Sequence, residues 1–153
     1  MESGEIPDHR ITASSAISAD YAPTNARPSS AQFWSPALRS GRTEYLQVDF
    51  GRRTRVVKIG YKSIRGLRRV ATFHLLYSDD GRVWRTAANR SQLVYHGEDG
   101  ESVVKRPVEA KMYRFVIDQI ESSSSKGKSS YVSVRLEFHG CYLEEAVASN
   151  ESK

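Results

Sequence analysis

Four histidines and one cysteine are the side chains best suited to acid–base, nucleophilic or metal chemistry, and the sequence scatters them. They are His9, His74, His96, His139 and Cys141. No two of them share the spacing of a metal site, and none stands in a recognisable catalytic motif. His74 and His139 fall in stretches that alternate like strands, which favours packing or surface roles. We therefore expect a chain that is not an enzyme.

Acidic residues cluster once, in the stretch HGEDGE at residues 96–101. Glu98, Asp99 and Glu101 offer the oxygen ligands that calcium prefers, but their spacing is not that of a known calcium loop. The stretch is predicted to be an acidic turn. We expect neither a metal ion nor a cofactor.

A basic stretch, KSIRGLRR at residues 62–69, is the best candidate for contact with a ligand. We name it the basic loop. Two apolar side chains flank Gly66 among four cations, a composition suited to an anionic surface such as a phospholipid membrane. The alternative is that the two apolar side chains fold back to cap the end of the fold beneath a solvated basic rim. The candidate contact residues are Lys62, Ile64, Arg65, Leu67, Arg68 and Arg69.

Charge and length set the class of molecule. The 153 residues carry a net charge of +5, and the segment after Cys141 is acidic, so the preceding part carries about +7. Such a charge suits an anionic partner. Nucleic acid is not expected, because no recognition helix or base-stacking platform is visible. We predict one domain over residues 1–141 and a polar tail or linker over residues 142–153.

Two sequons for N-linked glycosylation, at Asn89 and Asn150, indicate an extracellular protein. The chain has no apolar run of 18 residues, so we expect no transmembrane helix. Its N-terminus is polar and acidic, unlike a signal peptide. We therefore expect a part of a longer extracellular or cell-surface protein.

The elements that position the basic loop are predicted to be short strands. Residues 73–84 read as a hairpin: Phe73, Leu75 and Tyr77 alternate with polar residues, SDDG supplies a tight turn, and Val83 and Trp84 begin the return strand. Further strands are predicted at residues 44–50, 57–61, 93–95, 113–117 and 132–138. Residues 6–15 are predicted to form an extended edge strand, because an edge tolerates Pro7.

Between these strands the sequence predicts loops. Residues 18–30 are rich in Ser, Asn and Pro, residues 52–55 form a basic turn, and residues 122–130 form a polar, mobile loop. Phe33 and Trp34 are expected to pack in the core. About eight strands with loops in place of helices predict an all-β sandwich or jelly roll.

Several motifs between these strands occur together and in order, and with them the chain resembles the discoidin domain family, also called the coagulation-factor type C domain. The resemblance covers almost all of residues 2–141. The motifs are ESG, IPD and ITASS within residues 2–15, Ala26-Arg27, WSP (34–36), EYLQVDFG (44–51), YSDDGRVW (77–84), PVEAKMYRF (107–115) and VRLEFHGC (134–141).

The resemblance implies an eight-stranded antiparallel jelly-roll β-sandwich or barrel, galactose-binding-like, with ligand-binding loops at one end. Family members bind anionic phospholipid, collagen or other proteins, or glycans. The resemblance places the first ligand-binding loop at residues 18–25, beside Ile17 and with Tyr21 as its aromatic residue. It identifies the basic loop as the second ligand-binding loop. Lys126 and Lys128 are expected to extend the basic rim.

The resemblance also implies that Cys141 is half of a disulfide. The family's other cysteine precedes the ESG motif by a few residues, so the partner of Cys141 is expected outside this chain. The expected function is a non-catalytic adhesion module that recognises a phosphatidylserine-containing surface. The alternative is recognition of an extracellular protein, such as collagen or a receptor, or of a glycan.

Overall fold

Eight β-strands form the part of the chain that the computed structural model describes, which comprises residues 6–39, 41–121 and 131–143. Among these residues, one short 3-10 turn, Asp8–Arg10, lies directly before the first strand, so the segment predicted to be extended over residues 6–15 is extended only in part. Two more 3-10 turns, Ala19–Tyr21 and Pro23–Ala26, follow the first strand. The strands are β1 (Ile11–Ala13), β2 (Tyr45–Lys62), β3 (Arg69–Ser78), β4 (Arg85–Gln92), β5 (Val94–His96), β6 (Asp99–Val103), β7 (Glu109–Glu121) and β8 (Leu136–Tyr142).

The strands form one sheet that curls into a nearly closed barrel. Its order is β4-β3-β7-β2-β6-β5, and β1 and β8 also pair with β2. All of these pairings are antiparallel. The predicted all-β antiparallel architecture is confirmed. β2 is its central element, because it pairs with four other strands along its 18 residues.

The core follows the alternation predicted from the sequence. Inward residues of β2, β3 and β7 are buried, and the rings of Phe73 and Phe115 stack with centroids 4.7 Å apart. Phe33 and Trp34 are buried as predicted. Trp34 exchanges backbone hydrogen bonds with Val134, and its indole N–H donates to the carbonyl of Ser15 at 2.8 Å. These contacts tie the long β1–β2 connection to the segment that precedes β8.

The prediction made from the sequence is wrong for the middle of β2. The predicted turn at residues 52–55 is part of one long strand, which bends at Gly51, where φ is 77°. The register shifts between Asp49 and Thr54 on the β7 side and between Val56 and Lys58 on the β8 side. The second irregularity reverses the alternation. Val56 is therefore buried, whereas Val57 is 39% exposed, although its alternation with Ile59 and Tyr61 in the sequence predicts an inward side chain.

The predicted hairpin is confirmed, but its return strand begins at Arg85. Val83 lies in the turn and is 58% exposed. The Asp80 carboxylate accepts hydrogen bonds from the backbone amides of Arg82 and Val83, which lower its pKa. The predicted acidic turn at residues 96–101 is shorter than expected, because Asp99 and Glu101 belong to β6.

A buried carboxylate fixes the start of the long β1–β2 connection. Glu44 accepts hydrogen bonds from the hydroxyls of Ser14 and Ser15, both at 2.6 Å, and from the backbone amide of Arg39 at 3.1 Å. Burial, the largest single influence, would raise the pKa of Glu44, but these hydrogen bonds together lower it below its ordinary value. The ionised form is therefore favoured in the folded state.

Replacing Glu44 by glutamine is expected to remove stability at neutral pH. Because the folded-state pKa is lowered, the carboxylate stabilises the fold above the pKa of the unfolded chain, and this contribution disappears as pH falls through the folded-state pKa. Glu44→Gln should cost about 1–3 kcal/mol at neutral pH and much less near pH 3. Urea unfolding at both pH values measures this. Asp20→Asn, an exposed change in the same connection, is the control, and an equal loss at both pH values would contradict the account.

Candidate functional site

The basic loop lies at the end of the barrel where β2 ends and β3 begins. Its backbone is held from both sides. The backbone amide of Ser63 donates to the carbonyl of Glu98 at 2.9 Å, and the amide of Ile64 donates to the hydroxyl of Ser133 at 3.1 Å. The amide of Arg68 donates to the carbonyl of Tyr131 at 3.3 Å. The loop is therefore fixed to the β5–β6 turn and to the segment before β8.

The tip of the basic loop is a tight turn. The backbone amide of Leu67 donates to the carbonyl of Ile64 at 3.0 Å, and Gly66 has a φ of 89°. A positive φ at the third position is the geometry of a type II turn and explains the glycine. Arg65 occupies the second position, where 92% of its side chain is exposed. Ile64 and Leu67 are half-buried beside it.

Tyr61 anchors both ends of this loop from below. Its hydroxyl accepts a hydrogen bond from the backbone amide of Val70 at 3.1 Å and donates to the carbonyl of Ser133. The ring is 1% exposed. Burial raises the pKa of Tyr61 far above its ordinary value, so the hydroxyl keeps the proton that it donates. The loop therefore has a buried, hydrogen-bonded base beneath a solvated tip.

Arg69, predicted as a ligand contact, is engaged within the fold. Its guanidinium lies 3.6 Å from the ring centroid of Tyr95, donates to the carbonyl of Gly97 at 3.0 Å and pairs with Glu121. The Tyr95 hydroxyl donates to the carbonyl of Val70 at 2.6 Å. These contacts join β3, β5 and β7 beneath the loop. We assign Arg69 to positioning the loop rather than to binding.

A charge-matched pair of substitutions tests this assignment. Changing Arg69 and Glu121 together to glutamine is expected to cost about 1–2 kcal/mol, because it removes a half-exposed ion pair and a cation–π contact. The affinity for anionic vesicles should change less than about threefold, because a residue that does not contact the ligand contributes little binding free energy. A loss of about 1.4 kcal/mol of binding free energy would lower the affinity tenfold. Chemical unfolding and vesicle co-sedimentation measure the two effects. Strong loss of binding with unchanged stability would instead make Arg69 a ligand contact.

Tyr21 and Ile17 lie at the same end of the barrel and are half-buried. The ring of Tyr21 packs against Phe33 and Tyr131, with centroid distances of 4.8 and 5.0 Å. Because the Tyr131 carbonyl accepts from the Arg68 amide, this aromatic cluster adjoins the basic loop. Sequence reasoning missed Tyr131 and Tyr95 as neighbours of the basic loop. It considered Glu98 only as part of the acidic turn and not as a neighbour of Arg65. Each of these roles depends on contacts between distant segments.

A groove of about 590 Å³ runs along the outer side of β2 next to the basic loop. Gly60 forms part of its floor, where an added Cβ would lie 3.1 Å from Nε2 of His139. The groove walls carry charges of both signs from β6, β2 and β8. They include Lys58, Lys62, Asp99, Glu101, Arg135 and Glu137.

The remaining predicted residues lie elsewhere. Asn89 is exposed on β4, and Cys141 is exposed and forms no disulfide within the described residues. Residues 122–130, with Lys126 and Lys128, and Asn150 in the tail lie outside the described residues. His74 pairs with Asp118 on the outer face of the sheet. Within residues 6–39, 41–121 and 131–143, no three His, Cys, Asp or Glu side chains form a group that fits a metal ion.

Loops at one end of a β-barrel, as found here, were also expected from the family resemblance. The sequence model of the F5/8 type C domain matches residues 10–136 of the chain. This chain belongs to the F5/8 type C, or discoidin, domain family. The family consists of ligand-binding modules, and the predicted resemblance is confirmed.

Relatives of this F5/8 type C domain are segments of much longer proteins. The human epithelial discoidin domain-containing receptor 1 is 30% identical over 99% of the chain, which covers 19% of the receptor. Canine coagulation factor VIII is 29% identical over 95% of the chain, covering 6% of the factor. The domain therefore spans less than a fifth of the length of these curated relatives.

Two solved structures share the fold at low sequence identity. Discoidin II from Dictyostelium discoideum has a TM-score of 0.68 and 13% identity, over 88% of this chain and 55% of that chain. The CBM32-5 module of CpGH89 from Clostridium perfringens was solved with GalNAc-β-1,3-galactose. It has a TM-score of 0.64 and 14% identity, over 93% of this chain and 98% of that chain. In the part of this chain that the structure describes, no helix is long and apolar enough to cross a membrane.

Proposed function

We propose that this domain binds an anionic surface, a phosphatidylserine-containing membrane, through the basic loop. The observation that carries the proposal is Arg65, which is 92% exposed at the tip of a loop whose backbone is fixed on both sides. Because the turn is already fixed, its backbone loses little conformational freedom when the Arg65 side chain meets an anionic headgroup. Lys62 and Arg68 lie on the same loop and add positive charge.

The acidic neighbours of the loop reduce this charge without cancelling it. Glu98 lies 3.5 Å from Arg65, but the Arg65 side chain is almost fully solvated and the Glu98 side chain is 48% exposed. Such an exposed pair contributes little and is readily exchanged for another anion. Glu121 is already paired with Arg69. Lys62, Arg65 and Arg68 therefore remain available to an anionic partner.

Binding is expected to depend more on charge than on insertion. Ile17, Ile64 and Leu67 are half-buried, so each has less surface left to transfer into a membrane than the sequence suggested. We therefore infer a shallow contact with headgroups. A single domain that binds in this way is weak, and the affinity of the longer protein would come from avidity.

Co-sedimentation with vesicles tests the proposal. The domain should bind vesicles that contain phosphatidylserine and not vesicles of phosphatidylcholine alone. Affinity should fall when ionic strength rises from about 0.05 to 0.3 M, since the Debye length shrinks over that range. Equal binding to both kinds of vesicle, or to neither, would overturn it.

A second candidate is recognition of an extracellular glycan or protein. It is favoured by the aromatic cluster of Tyr21, Phe33 and Tyr131 next to the basic loop, since aromatic rings anchor both interfaces and sugars. The groove along β2 offers hydrogen-bonding walls beside it. A glycan array run beside the vesicle assay separates the two. Saturable glycan binding that is lost in Tyr21→Ala, without vesicle binding, would favour this candidate.

We infer that the domain is a non-catalytic module of a longer extracellular or cell-surface protein. Its F5/8 type C membership supports this placement. The domain is proposed to comprise residues 1–141 with a tail from residue 142, although β8 itself continues through Tyr142. The thiol of Cys141 is exposed, and this exposure is compatible with a disulfide to a cysteine outside this chain. The disulfide stays a prediction.

A further inference from the structure

A cleft of about 790 Å³ opens where the barrel fails to close. Strand β4 pairs only with β3, and β6 pairs with β5 over residues 99–101 and no further. The chain passes from β4 directly into β5, so the cleft is closed at one end by Val94 and His96. Its walls are the free edges of β4 and β6, with Lys105 and Arg106 at its other end.

The cleft leaves apolar surface uncovered. Val94 is 56% exposed and Val103 is 65% exposed. They are two of the four large apolar residues that are exposed in the described part of the chain, and both line this cleft. Ala87 and Ala88 add small side chains to its wall. An apolar floor of this kind fits a ligand with one apolar face.

The same cleft is bordered by a residue that can be modified. Asn89 lines it, is exposed, and begins the sequon Asn89-Arg90-Ser91. Arg90 has a φ of 49°, and the pairing of β4 with β3 loses its register between the partners of Phe73 and Leu75. The sequon therefore lies on an irregular edge strand, where the amide side chain is open to an enzyme.

We propose that Asn89 carries an N-linked glycan whose first sugar packs into this cleft over Val94 and Val103. In the attachment step the Asn89 amide nitrogen forms a bond to C1 of an N-acetylglucosamine. The bond between C1 and the pyrophosphate of a lipid-linked oligosaccharide donor breaks, the lipid pyrophosphate leaves, and the amide loses one proton to the transferase.

The chemistry of the cleft fits this occupant. N-acetylglucosamine presents axial C–H groups on the faces of its ring, and its hydroxyl groups and acetamido group project from the ring edge, so a face of the ring is its apolar side. The valines would cover the apolar side. Arg90, Lys105 and Arg106, exposed at the cleft and without an ion pair among the described residues, supply hydrogen-bond donors for the hydroxyl groups. This inference is independent of the ligand of the basic loop.

The test uses the full chain secreted from human cells behind a cleavable signal peptide. Ser152→Ala removes the other sequon. Peptide mass mapping measures occupancy of Asn89, which is expected to be high. The melting temperature is then compared for three forms: the full glycan, the glycan trimmed by an endoglycosidase to one N-acetylglucosamine, and the glycan-free chain left by an amidase. Because the amidase converts asparagine to aspartate, Asn89→Asp from bacteria is the reference for that form.

The single sugar is expected to keep the full thermal gain, a rise of about 3 °C that corresponds to roughly 1 kcal/mol. Val103→Ser should abolish this gain. Val83→Ser, at a similarly exposed valine outside the cleft, should leave it intact. An unoccupied Asn89 overturns the proposal, and so does a gain that is absent in the single-sugar form or unaffected by Val103→Ser. Two-dimensional methyl NMR should also show the Val94 and Val103 signals shifting with the single sugar present.

Discussion

Reversing two charges of the basic loop, Arg65→Glu with Arg68→Glu, is expected to weaken binding to phosphatidylserine vesicles at least thirtyfold. Each cation near an anionic leaflet contributes about 1 kcal/mol, so losing two costs about 2 kcal/mol before any repulsion by the new carboxylates is counted. The fold should survive. Arg65 is exposed at a turn, and Arg68 is held through its backbone amide and carbonyl, which the substitution keeps.

The matched control reverses the same charge at the far end of the barrel. Arg82 and Arg85 are exposed next to the β3–β4 turn. They are about 30 Å from the basic loop, because β3 has ten residues at about 3.3 Å each. Arg82→Glu with Arg85→Glu changes net charge equally and should alter vesicle binding only slightly at physiological salt, given a Debye length of about 8 Å.

The comparison separates a site from a general effect of net charge. Equal losses in the two double variants would mean that binding is non-specific. An unchanged affinity after reversal at Arg65 and Arg68, in a protein that unfolds at its usual denaturant concentration, would remove the basic loop as the binding site. Circular dichroism and urea unfolding check the fold in both cases.

Tyr61→Phe is expected to destabilise the domain by about 2–4 kcal/mol. The hydroxyl satisfies the Val70 amide and the Ser133 carbonyl in the core, and each group left without a partner costs about 1–3 kcal/mol. That is a large share of the 5–15 kcal/mol typical of a domain. Since Val70 and Ser133 hold the base of the basic loop, its amides should also exchange hydrogen faster. Urea unfolding and hydrogen exchange measure the two effects.

Tyr45→Phe is the control for Tyr61→Phe. Tyr45 is half-buried, and its ring lies 4.1 Å from the guanidinium of Arg114. No hydrogen bond of its hydroxyl is found in the described part of the chain, so its loss should cost less than about 0.5 kcal/mol. A loss below 1 kcal/mol in Tyr61→Phe would mean that water or a backbone shift satisfies both groups. Tyr61 would then not anchor the loop.

The sequence by itself determined the fold class, the inward faces of most strands and the position of the basic loop. Alternation along residues 44–50 and 113–117 reflects which side chains leave water, and that preference is a property of each residue. The basic loop was predicted because Ile64 and Leu67 flank Gly66 among four cations. Phe33 and Trp34 were assigned to the core because adjacent aromatic residues between breakers have large apolar surface to bury.

Only the tertiary structure decided what these residues contact. Whether Arg69 binds a ligand or supports the loop depends on Tyr95 and Glu121, which lie 26 and 52 positions further along the chain. The face of Val57 depends on a bulge opposite β8, and no residue near Val57 encodes that register. The cleft at Asn89 exists because β4 pairs with β3 alone and β6 is unpaired on its β5 side beyond Glu101. Long-range pairing fixes such features, because local preferences alone do not specify which distant strands pair or where a bulge interrupts the ladder.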